Sequence, residues 1–155
     1  MSKTMIVATL GLLSVACLSG CVTSPLNGST VSTQDTPITI SGFAARPNAH
    51  LKVQAFNQRN RTWETVATTN SSFHGYQDIN GTKWYCYHCR QVMEPQYWTP
   101  FSGELPSSSC QLRVLDEYGN KLFSFNRAPD LNGDPIDEWN DKGNRNEEIT
   151  VFVYR

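Results

Sequence analysis

From Pro37 onward the chain alternates short apolar–polar runs with clusters of turn residues. Ile38 and Ile40 alternate with Thr39 and Ser41, and Leu51, Val53 and Ala55 alternate with Lys52 and Gln54. A period of two is the mark of a strand with one face buried. Trp63 to Thr69 is rich in β-branched residues, Trp84 to Cys89 is aromatic, and Ile149 to Tyr154 is strongly β-branched. Short runs of this kind, separated by turns, predict an all-β domain. The expected architecture is a small antiparallel β-sandwich, immunoglobulin-like or similar, with about seven short strands. Gly119-Asn120 predicts a two-residue hairpin in which Tyr118 faces Lys121 and Val114 faces Phe125. That register lines up Leu112, Val114, Phe123 and Phe125 on one face as a core stripe. One short helix is expected near 135–142. Asp134 is suited to cap it, Pro135 to its first position and Gly143 to its end, with Ile136 and Trp139 on the buried side.

Ahead of Pro37 the pattern changes twice. Val22 to Thr36 is rich in Ser, Thr, Asn and Gly without apolar periodicity, which predicts a flexible tether. Before it, Met5 to Leu18 is a continuous apolar run behind the basic Lys3. Its length suits a secretory signal and falls short of the ~20 residues that span a bilayer. The run closes on Leu18-Ser19-Gly20-Cys21, an aliphatic residue, two small residues and a cysteine. This stretch resembles the lipobox of bacterial lipoproteins. The resemblance implies that residues 1–20 are removed and that Cys21 becomes a lipid-modified amino terminus. Val22 occupies the next position, where Asp is associated in that family with inner-membrane retention, so the resemblance points to the outer membrane. The expected organisation is a signal over 1–20, a tether over 21–36 and a sandwich over 37–155.

Charged residues make up 17% of the chain and the formal net charge is −1, a balance that gives no electrostatic footprint for nucleic acid. No Gly-X-Ser-X-Gly elbow, phosphate loop or His-Glu-X-X-His motif occurs. The expectation is therefore a non-enzymatic protein with no cofactor: a binding or assembly module, accessory or immunity-type, with a protein partner in the envelope and a lipid anchor in the membrane. The alternative is a glycan- or calcium-binding sandwich.

Three groups of residues carry candidate chemistry. Cys86, Cys89 and Cys110 remain once the N-terminal segment is set aside, and an oxidising compartment favours one disulfide. Residues three apart on a strand point to opposite faces, so only one of Cys86 and Cys89 is expected to meet Cys110. Cys89 closes the shorter loop; Cys86 is the alternative. The Cys86-Tyr87-His88-Cys89 spacing also suits a redox dithiol, or part of a zinc site with His50, His74 or His88, but neither context is present. Asp130, Asn132 and Asp134 are spaced like the opening of a calcium loop, although Pro135 replaces the glycine of its sharp turn; a solvated acidic loop fits the same residues. Tyr85, Tyr87, Tyr97 and Trp98 form an aromatic group able to pack a core or to present flat faces to a ligand.

Overall fold

The computed structural model describes residues 20–31, 37–79, 81–100, 108–125 and 145–153. Along the chain these form β1 (Gly20–Ser24), β2 (Thr30–Val31), β3 (Ile38–Ala44), β4 (His50–Asn57), β5 (Thr62–Asn70), β6 (Tyr76–Ile79) and β7 (Thr82–Gln91). A 3-10 turn at Pro95–Tyr97 leads to β8 (Thr99–Pro100), β9 (Ser108–Leu115), β10 (Phe123–Phe125), β11 (Arg145–Asn146) and β12 (Ile149–Val153).

The all-β reading holds, and the strands divide into two sheets stacked as a sandwich. The first has the order β11-β10-β1-β3-β7-β6, and the second runs β2-β12-β9-β4-β5, with β8 added against β9. Both sheets are mixed, where an antiparallel arrangement was expected: β1 pairs parallel with β10, and β12 parallel with β2. The strands exceed the expected seven because several are two-residue pairings that sequence patterning cannot register. The helix expected near 135–142 lies outside the described residues.

Alternation fixes which face of each strand is buried. In β9 every second residue from Ser108 is buried, and in β12 Ile149, Val151 and Val153 are buried. Their inner faces meet Ile38, Ile40, Leu51, Val53, Ala55, Tyr87 and Leu122 between the sheets. A second, smaller cluster lies on the opposite face of the first sheet, where Phe43 pairs directly with Cys21 on one side and Cys86 on the other. Trp84 and Phe123 complete it.

Two expectations are corrected here. The segment expected to be a flexible tether from residue 21 begins instead as a strand in the middle of the first sheet. Cys21 and Val22 are buried between Phe43 and Gly42 of β3 and Phe123 and Ser124 of β10. Val31, in β2, also packs against the core. A single apolar residue, Val22, flanked by small polar ones leaves no period to read, so pairing on both edges supplies the order that composition does not announce.

The hairpin register is also different. Leu115 bridges Lys121, and the Leu122 amide donates to the Val114 carbonyl, a shift of three residues from the two-residue loop. The cause is Asp116. Its carboxylate accepts the amides of Tyr118 (2.9 Å) and Asn120 (2.8 Å) and the side-chain amide of Asn120 (3.3 Å), while Gly119 takes a positive φ of 81°. This encloses a three-residue loop, the next most common hairpin connection. Leu122 then joins the main core and Phe123 turns to the outer cluster. β10 crosses to the first sheet rather than continuing beside β9. Asp116 is buried, so Asp116→Ala leaves amides without acceptors and is expected to cost about 2 kcal/mol, whereas Asp116→Asn retains an acceptor and loses less. Urea denaturation of the two variants against the native chain measures the difference; equal stability of all three would show that the carboxylate does not hold the turn.

Candidate functional site

Parity on β7 decides what the cysteines can do. Tyr87 and Cys89 face the space between the sheets and Cys86 faces the outer cluster. The pair therefore points to opposite sides of one strand and cannot close on itself or act as a dithiol. Cys110 faces the same interior as Cys89 from the other sheet, and Cys86 does not, in line with the expectation that only one of the two could meet it. The expected Cys89–Cys110 bridge is nevertheless absent, as is the Cys86 alternative; Cys86, Cys89 and Cys110 are all thiols. Burial raises all three above the ordinary thiol value, Cys110 to about 12. A reactive or metal-binding cysteine needs its thiolate favoured, and these environments disfavour it. Among the described residues no group of three or more His, Cys, Asp or Glu side chains is gathered for a metal ion.

The aromatic group disperses into packing. Tyr87 is in the core and its hydroxyl donates to the Cys21 carbonyl at 3.2 Å. Burial holds its pKa well above the usual phenol value, with the neighbouring Cys21 and Cys89 adding to the effect. Tyr97 is buried at the 3-10 turn and donates to Glu64 Oε2 at 2.9 Å, while Asn57 Nδ2 donates to Glu64 Oε1 at 3.0 Å. Trp98 packs on the core and donates its indole N–H to the Met93 carbonyl at 3.3 Å. Tyr85, like Trp98, is only partly buried, and it meets the Tyr76 ring at 5.8 Å. Asp130, Asn132 and Asp134 lie outside the described residues.

Two surface constellations stand out. On the outer face of the second sheet, Trp63 of β5 sits opposite Phe56 of β4, their rings edge-to-face at 5.4 Å. Arg113 of β9 lays its guanidinium 4.3 Å from the Trp63 centroid and donates through Nε to Gln54 Oε1 at 2.8 Å. Four half-buried side chains from three adjacent strands thus form a flat, ordered platform. Trp and Arg held in this way are the residue types that dominate binding energy at protein interfaces. The sequence signal for it is Phe56: along β4 the residues alternating with Leu51, Val53 and Ala55 are His50, Lys52 and Gln54, and an aromatic breaks that polar series.

The second constellation is at one end of the sandwich. Gly20, Ala44, Tyr85 and Tyr76 form a row across β1, β3, β7 and β6. Beyond this row lie the loops 45–49 and 116–120, while the 71–75 loop runs from Ser71 beside Ala49 to Cys86, one residue inside the row. Arg46 ties two of them together, pairing with Glu117 at 2.5 Å and stacking over Tyr118 at 4.8 Å. Ser71 Oγ ties the third by donating to the Arg46 carbonyl at 2.6 Å.

The chain matches no known protein-family model and no curated protein.

An open, polar cleft of about 490 Å³ is lined by Asn27, Gln111, Asn146, Glu147, Glu148 and Thr150. Lys121 bridges its two carboxylates, with Nζ 3.1 Å from Glu147 and 3.8 Å from Glu148. The Asn27 side chain accepts the Thr150 amide at 2.8 Å. These contacts make the cleft a seam between the β1–β2 segment and β12.

Proposed function

We propose that this protein is a bacterial envelope lipoprotein, anchored through acyl chains on Cys21, whose β-sandwich binds an envelope protein without catalysing a reaction. The observation that carries the anchor is the Leu18-Ser19-Gly20-Cys21 motif behind a short apolar run. Two or more acyl chains, at about 0.8 kcal/mol per buried methylene, hold a protein on a bilayer essentially permanently. The resemblance to the lipobox and the Val22 that follows favour the outer membrane.

The Cys21 side chain is 2% exposed in the full chain, within the Phe43–Trp84 cluster. A diacylglyceryl group is far larger than that space, so acylation requires the residue-21 side chain to leave the cluster. Val22 to Ser24 can keep their pairing with Ser41, Gly42 and Ser124 while it does so.

Partner binding is assigned to the Phe56–Trp63–Arg113 platform. Its aromatic surface is pre-ordered by the stacked guanidinium, so little side-chain freedom is lost on association. Cys21→Ser is expected to abolish incorporation of a labelled fatty acid and to move the protein from the membrane pellet to the soluble fraction. Trp63→Ala is expected to leave anchoring intact and to remove a defined protein cross-link formed in intact envelopes. Fatty-acid labelling of the Cys21→Ser chain would refute the anchor, and an unchanged cross-link pattern in Trp63→Ala would refute the platform.

A further inference from the structure

We propose that the end of the sandwich at which β1 begins rests on the lipid surface, with Phe73, Tyr76 and Tyr118 in the headgroup region. This deepens the anchor reading and rests on acylation of Cys21.

Four large apolar side chains are exposed among the described residues: Phe73 (57%), Tyr76 (42%), Val92 (48%) and Tyr118 (72%). Three of them lie at one end. Phe73 is in the 71–75 loop, whose Ser72 amide and Gly75 carbonyl both hydrogen-bond Cys86, in the same cross-strand row as Phe43 and Cys21. Tyr76 ends the row that begins with Gly20. Tyr118 is at the tip of the hairpin that Arg46 clamps to the β3–β4 loop. Val92 alone is at the far end, just past Gln91, which pairs with Ile38 at the start of β3.

The chain enters the sheet from the aromatic end. Gly20 pairs with Ala44, the last residue of β3, so residue 21 is one step inside the rim. An acyl group leaving from residue 21 therefore brings this rim against the bilayer and turns the Val92 end away. The exposed rings are of the kind that settles at the membrane–water boundary: Tyr and Phe have an apolar body, and Tyr has a polar tip that stays hydrated. The charges among them suit the same place. Lys83 Nζ lies 4.7 Å from the Tyr76 centroid and faces Asp78 across β6 and β7, and Arg46 is paired with Glu117, so each of these acids is matched by a cation and none is left to oppose anionic headgroups. Lys83 lies near the tip of the β6–β7 hairpin, which extends past Ala44.

The test uses the full chain with its cellular N-terminus, reconstituted in phosphatidylethanolamine–phosphatidylglycerol vesicles that contain a diazirine-bearing phospholipid. Adducts are mapped by mass spectrometry after photolysis, and the acyl mass on residue 21 is read in the same digest. Adducts are expected on the peptides carrying Phe73, Tyr76 and Tyr118, with none at Val92. The triple variant Phe73→Ser/Tyr76→Ser/Tyr118→Ser should lose about tenfold of that labelling with residue 21 still acylated and the circular dichroism unchanged. Acylated protein labelled only beside residue 21, labelled at the Val92 end, or joined to a second copy through these loops would overturn the proposal. A chain with no acyl mass refutes the anchor instead. Tip labelling on such a chain would keep the docking surface, and unlabelled tips would end both.

Discussion

Gly42→Ala is expected to destabilise the sandwich by about 3 kcal/mol, a large loss for a methyl group in a strand. Gly42 lies in the middle of the first sheet, paired with Val22 of β1 and Tyr87 of β7. The Tyr87 ring crosses over this position to reach the Cys21 carbonyl. A Cβ at residue 42 would overlap the Cys21 carbonyl oxygen and sit 2.7 Å from the Tyr87 hydroxyl. Neither is the loose end of a flexible side chain. The first belongs to a backbone held on both edges, and the second is buried and hydrogen-bonded. Relief requires β1 to move away, and with it the pairing that joins β10 to the sheet. Tyr87→Phe removes only the hydrogen bond and is expected to cost about 1 kcal/mol, which separates the steric effect from the polar one. Denaturant midpoints measure both. If Gly42→Ala were as stable as the native chain, β1 would not occupy its place beside β3.

The second large effect is a loss of stability at alkaline pH. Cys110 has no exposed surface, and burial carries its pKa from the ordinary 9.0 to about 12. Below pH 9 the thiol is protonated in folded and unfolded chains alike, and its contribution is constant. Between pH 9 and 12 the unfolded chain releases the proton and the folded chain retains it. Stability therefore falls with rising pH, by up to about 4 kcal/mol across that window from this residue. Cys86, Cys89, Tyr87 and Tyr97 are shifted in the same direction, chiefly by burial, and add to the loss. Cys110→Ala should flatten the dependence by about 1.4 kcal/mol per pH unit within the window. Denaturation in buffers from pH 8 to 11 reads the slope directly. A Cys110 held in a disulfide has no proton to release, so an identical slope in the native chain and Cys110→Ala would contradict the buried thiol.

The fold was legible where one face of a strand is buried and the other is wet. β4, β9 and β12 alternate cleanly, and so were visible in the spacing of Leu51, Val53 and Ala55 or of Ile149, Val151 and Val153. β1 was not, because its place in the sheet rests on backbone pairing at both edges and on one valine. The hairpin register turned on Asp116, whose side chain competes for turn amides outside the Gly119-Asn120 pair that dominates the local pattern. The division of Cys86 from Cys89 followed from strand parity alone; whether Cys89 and Cys110 join did not, since that depends on how two strands in different sheets are offset. For the candidate site, the aromatic density around Tyr85 to Trp98 could not separate core from surface, because both use the same residues. Phe56 was the more telling position: one aromatic in a polar series marks a second use of a sheet face.

The placement of β1 also orders events in time. The bond between Gly20 and Cys21 lies within a strand paired to β3, and Cys21 also pairs with β10. A peptidase that cuts there must draw an extended, unpaired segment into its cleft. Under the lipoprotein reading proposed above, scission would have to come first, with the first sheet closing around residue 21 only afterwards. On that reading, closure of the sheet before processing would hide the bond between Gly20 and Cys21, so a sheet that assembles late would favour the anchor.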